Sequence, residues 1–177
     1  MARNRYVKDY RLVETVSESG RIKTSYEYIG REYVFAGEAE KVARDKKIAM
    51  ALCLPLWALF IGAMIPPSGA TRSLYIILPY AFTAIALGVA TDILFSVGLA
   101  RPPLEHRYAD RMNNRFPPAA LGAAFLPGLS LIGQLLRIAF GGELLPGDWV
   151  FMACAALLAA GSFYLFGFRK RLALREA

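Results

Sequence analysis

Four apolar runs, 48–65, 74–99, 119–140 and 149–168, constrain this chain more than any other feature of its 177 residues. A helix rises about 1.5 Å per residue, so each run can cover most of a hydrocarbon core about 30 Å thick. A helix buried in a water-soluble core needs a polar face, and the runs 48–65 and 149–168 contain no charged residue at all. The other two carry isolated polar groups: Asp92 in 74–99, and Gln134 and Arg137 in 119–140. Counting Gly and leaving out Tyr, about 59% of the chain is apolar, against roughly 45–50% in soluble domains. These features exclude a disordered chain and an ordinary soluble domain. They predict an all-α, multi-pass integral membrane protein: a bundle of four transmembrane helices. No apolar stretch of signal-peptide type precedes residue 48, so the N-terminal segment is expected to stay on the mature protein.

The basic residues orient the bundle. Of 21 Lys and Arg, all but Arg72 and Arg137 lie in three segments: residues 1–47, the loop between the second and third runs, and the tail 169–177. An even number of crossings puts these segments on one face, and their Lys and Arg excess marks it as cytoplasmic, with both termini inside the cell (plasma) membrane. The net charge of +7 therefore follows the span boundaries and suits anionic lipid, with no nucleic acid implied. Lys46, Lys47, Arg169, Arg137 and Trp149 fall where interfacial anchors belong, and the lipid bilayer is the first expected partner.

The segment 1–47 is of a different kind. Residues 6–16 and 21–28 alternate with the period of a strand, and Ser17 to Gly20 between them supply turn chemistry, so a β-hairpin is predicted. Tyr33 to Phe35 are expected to return as a third strand of the same meander, and residues 38–47 as a short interfacial helix leading into the first span. So small a sheet is marginal alone, so it should rest on the cytoplasmic loop, the helix ends or the headgroups, or else capture a partner strand.

Asp92 is the expected ion or proton site, because an ionisable group inside a span usually faces a bundle interior or cavity. It lies only seven residues before Leu99, so a shallower snorkelling or capping role, paired with Arg101 or another cytoplasmic Arg, is equally open. Arg137 falls near the opposite end and is expected to reach the outer headgroups, with Gln134 one turn deeper as an interhelical hydrogen-bonding group. Cys53 and Cys154 sit at different depths and are expected to stay unpaired. His106 is expected to be a solvated loop residue, with no metal or other cofactor. Small residues at i,i+4 spacing, among them Ala120, Ala124 and Gly128, and Ala155 with Ala159, suit close packing between helices or subunits.

With no catalytic constellation, an enzyme is not expected. The leading expectation is an accessory or assembly subunit of a membrane complex, either a homo-oligomer or bound to a protein partner through the hairpin. The alternative is a small oligomeric transporter or channel with Asp92 as coupling or ion-binding acid.

Overall fold

The computed structural model describes residues 7–16 and 22–177. Two strands, β1 (Tyr10–Val16) and β2 (Ile22–Tyr28), pair antiparallel from Tyr10↔Tyr28 to Val16↔Ile22. The hairpin predicted from alternation is therefore present; its turn, Ser17 to Gly20, lies outside the described residues. The register sets Leu12 opposite Tyr26 and Tyr10 opposite Tyr28, so these four residues share one face.

The third strand does not extend this meander. β3 (Glu32–Phe35) is the centre of a separate sheet, flanked by β4 (Leu104–Glu105) and β5 (Leu174–Glu176), antiparallel to both. The backbone accounts for the switch. The Tyr28 hydroxyl donates to the Arg31 carbonyl at 2.7 Å, and a Cβ on Gly30 would meet that Tyr28 ring, so the chain turns sharply away from β2. Further hydrogen bonds run from Ala36 N–H to the Ala173 carbonyl and from Ala177 N–H to the Glu32 carbonyl, extending the β3–β5 ladder at both ends.

Four long helices follow in up-down order: α1 (Ala39–Gly62), α2 (Leu74–Leu99), then, after the short α3 (His106–Asp110) and a π-helical turn Arg111–Arg115, α4 (Phe116–Ala139) and α5 (Pro146–Arg171). Neighbours pack α1 on α2, α2 on α4, α4 on α5 and α5 back on α1, which closes the ring. All four helices have one end at the sheets; the opposite, far end carries the loops 63–73 and 140–145.

Three helical stretches are long and apolar enough to cross a membrane: Leu74–Leu99, His106–Ala139 and Pro146–Arg171. The first expected span, 48–65, is helical only to Gly62, and its last residues turn because Pro66 disfavours helical geometry in the residue before it. Its apolar helical part is thus about 22 Å long, preceded by the charged stretch 39–47, which runs into it as one helix as expected. Pro117 and Pro146 stand in the first turns of α4 and α5, and at the start of α5 a missing N–H is harmless. Pro55, Pro79 and Pro127 lie inside continuous helices.

The bundle interior is closed by aromatic packing. Tyr80 is fully buried between Phe60, stacked at 5.1 Å, and Phe151, also at 5.1 Å, and donates to the Phe60 carbonyl at 3.1 Å. Leu87, Leu158, Leu165, Phe116 and Phe168 continue the core toward the sheet end. A Cβ on Gly122 would lie 3.3 Å from Ala86, so α4 and α2 approach closely there, whereas nothing lies within 4 Å of a Cβ on Gly128 of the expected small-residue stripe. On α5, Ala155 faces the core while Ala156 and Ala160 face outward.

Candidate functional site

The far end is held by a polar tie that the sequence reading divides wrongly. Asp148, in the first turn of α5, is fully buried. Its Oδ2 accepts from Arg137 Nη2 at 2.7 Å and from the Leu145 backbone N–H at 2.8 Å, while Oδ1 accepts from the Gly69 N–H at 2.7 Å. One carboxylate thus joins α4, the start of α5 and the loop after α1. Arg137 is not a headgroup anchor: its side chain is only 14% exposed and turns inward to Asp148. Among the described residues Gln134 makes no bond across helices: its Oε1 accepts from Arg137 Nε at 3.1 Å on the same helix, and its buried Nε2 has no partner. Sequence reading missed Asp148 because it began the span at residue 149. The available signal was an acidic residue two places after Pro146, the pattern of a helix first turn in which the carboxylate returns to the N-cap N–H.

Asp92 occupies the other end, and it does not face the bundle interior. Its side chain is 69% exposed on the outer surface of α2. The partner is Arg111 of the π-helical turn, not Arg101: Arg111 Nη1 lies 3.4 Å from Asp92 Oδ2 and 3.5 Å from Ser96 Oγ. Arg115 completes one side of an open cleft of about 400 Å³ over Gly88, Val89 and Ile93. Arg137 and Asp92 sit at opposite ends, as the depth argument required.

The expected anchors divide. Trp149 is exposed in the first turn of α5, Lys47 is exposed on α1, and Arg169 is exposed with its guanidinium 4.8 Å from the Phe166 ring. Lys46 is half-buried, its ammonium 4.0 Å over the Phe35 ring of β3, so it links helix to sheet. Cys53 and Cys154 are both free thiols. Among the described residues, no three His, Cys, Asp or Glu side chains gather as a metal site.

The hairpin rests on the loop before α3. Tyr10 Oη donates to Glu105 Oε2 at 2.6 Å, and the His106 backbone N–H donates to Tyr28 Oη at 2.8 Å. His106 is not a solvated loop residue: its ring stacks on Tyr33 at 5.9 Å and its Nδ1 lies 3.5 Å from Asp9 Oδ2. Further along the hairpin, Leu12 and Tyr26 face each other at 51% and 74% exposure.

The hydrogen bond to Glu105, with burial and the Glu105 charge adding to it, pushes the Tyr10 phenol from 10.0 up to about 12, with Arg107 opposing. A phenol whose folded pKa is raised contributes stability fully present below pH 10 and lost as pH rises through about 12. Hairpin docking should therefore weaken between those values. An ultraviolet tyrosinate titration should show several late-ionising tyrosines, one fewer in Tyr10→Phe; an unchanged number would contradict the bond to Glu105.

Comparison with protein families, with curated proteins and with solved structures found no match to this chain.

Proposed function

We propose that this chain is a four-crossing, multi-pass membrane protein that acts without catalysis, as an accessory or assembly subunit presenting its hairpin to a protein partner on the cytoplasmic face. The three-stranded sheet supports the crossing number by parity. Residues 32–35 and 104–105 share one sheet, so the chain between them crosses an even number of times. α2 has the length and apolarity of one crossing, and in this reading the shorter α1 is its counterpart. Residues 105 and 174 are joined through the same sheet, with α4 and α5 between them. A shorter α1 is compatible with crossing through local thinning of the bilayer and snorkelling of Lys47.

The carrying observation for the partner role is the exposed Leu12–Tyr26 pair on a hairpin whose base is fixed by Tyr10 and Tyr28. A large aromatic beside an aliphatic residue, held on a rigid strand pair, is the composition of an interface anchor. The aromatic closure around Tyr80 weighs against a solute path through a single chain, and the outward direction of Asp92 weighs against that residue as an interior coupling acid.

The test uses the full chain in cells, with Cys53 and Cys154 replaced by Ala. Pro67→Cys should react with a membrane-impermeant thiol reagent from outside, and Tyr26→Cys only after the membrane is opened. The Tyr26→Cys chain should also crosslink to a partner, and Leu12→Asp with Tyr26→Asp should lower recovery of that partner about tenfold or more. Labelling of Pro67→Cys and Tyr26→Cys from the same side would remove the four-crossing reading, and recovery of the chain alone would remove the partner role.

A further inference from the structure

The Asp92 cleft has features that a structural ion pair does not require. Charge-assisted N–H···O bonds close to about 2.7–2.9 Å, as Arg137–Asp148 and Arg107–Glu105 do in this chain at 2.7 Å. Arg111 and Asp92 stand apart at 3.4 Å, both open to the surroundings, and Arg115 is still further from its carboxylate neighbour, 3.9 Å from Asp110. Ser96 Oγ is committed to the Asp92 carbonyl at 2.6 Å and does not draw the Asp92 carboxylate inward. The cleft therefore presents two guanidinium groups and one carboxylate side by side, with hydrogen-bonding capacity left over on each.

Its position fixes what can enter. Half-buried Arg111 and the exposed Asn113, Asn114 and Arg115 mark the level of the polar boundary at the sheet end, and Arg111 brings Asp92 to that level. From there toward the far end, α2 offers 18 residues, 74–91, about 27 Å of apolar helix and close to the hydrocarbon thickness. The cleft floor, Gly88 and Val89, runs directly into exposed Ile85 and Phe82 on the same helix surface. A charged mouth opening onto an apolar track suits an amphiphile with its head at the boundary and its acyl chain along α2.

We propose that this cleft is a binding site for a zwitterionic aminophospholipid, a phosphoethanolamine headgroup whose phosphate lies between Arg111 and Arg115 and whose primary ammonium pairs with Asp92. A purely anionic headgroup satisfies the two arginines but leaves Asp92 facing its negative charge, so the carboxylate acts as the selectivity element. The proposal rests on the membrane-spanning reading and not on any protein partner.

Trp57 reports from the site: it packs on α2 at Gly88, where a Cβ would lie 3.9 Å from its ring, and donates to Thr91 Oγ1 at 3.2 Å. Trp149→Phe leaves it as the one tryptophan. The full chain is reconstituted in phosphatidylcholine vesicles containing equal phosphatidylethanolamine and phosphatidylglycerol, with acyl-chain bromine placed on one of the two at a time. Brominated phosphatidylethanolamine should quench Trp57 with a relative binding constant about three- to fivefold above brominated phosphatidylglycerol, as one exposed ion pair allows. Asp92→Asn should reverse the order, Asp92→Glu should keep it, and Arg111→Gln with Arg115→Gln should abolish it. Equal quenching by both lipids in the native chain, or the same preference in Asp92→Asn with unchanged helical circular dichroism, overturns the site. Release of the chain from vesicles by alkaline wash would instead overturn the membrane-spanning reading, so the two failures are distinguishable.

Discussion

Asp148→Ala should be the most damaging single truncation in the chain, costing about 3–5 kcal/mol, because it strands the Arg137 guanidinium in a site only 14% exposed. It also removes the acceptor for the Gly69 and Leu145 N–H groups. The reverse truncation, Arg137→Met, leaves those two N–H donors on the carboxylate and should cost less, by about 1–2 kcal/mol. Unfolding in mixed micelles with increasing dodecyl sulfate, followed by helical circular dichroism, measures both. If Arg137→Met proved as costly as Asp148→Ala, the backbone bonds to the carboxylate would not be the distinguishing contribution.

The second large effect is steric. A Cβ on Gly147 would collide with the Pro67 carbonyl oxygen and lie 2.8 Å from its carbon, backbone against backbone. The Pro66-Pro67 pair cannot swing aside as a side chain would, so Gly147→Ala should cost about 3 kcal/mol or detach the 63–73 loop from α5. Gly128→Ala is the control: nothing lies within 4 Å of its added Cβ, and replacing a helical glycine there should be neutral or stabilising by up to about 1 kcal/mol. Equal losses in the two variants would point to helix backbone effects and away from the collision.

Long-range order in this chain was legible where periodicity or length carries it, and illegible where a few residues meet across the fold. The run 74–99 coincides with α2, and the alternation read over 6–16 and 21–28 contains the hairpin strands 10–16 and 22–28, although Val7–Asp9 form a 3-10 turn instead of strand. β4 has two residues and β5 three, too few to show a period, and their pairing with β3 depends on helices that bring residues 104 and 174 to residue 33. The candidate sites divide in the same way. Of the two readings of Asp92, the structure agrees with the shallow group paired with an Arg and not with the interior acid, and the sequence leaves both open because one-dimensional depth cannot tell which face of α2 is covered. Asp148 escaped notice because it lies one residue outside an apolar run, and only the folded contact with Arg137 gives it weight.

The β4–β3–β5 sheet joins residues far apart in sequence without a covalent bond, and so acts as a crosslink on the chain. It closes one loop from 35 to 104 and a second from 105 to 174, each enclosing two long helices. The entropy of closing a loop grows only slowly with its length, so once both loops are closed, each helix pair is held to the other at little further cost. With the Asp148 tie at the opposite end, the four helices are fastened top and bottom. Separation of α1 and α2 from α4 and α5 must then break the β3–β5 ladder at one end and the Gly69 N–H bond to the Asp148 carboxylate at the other, which makes this bundle a rigid unit.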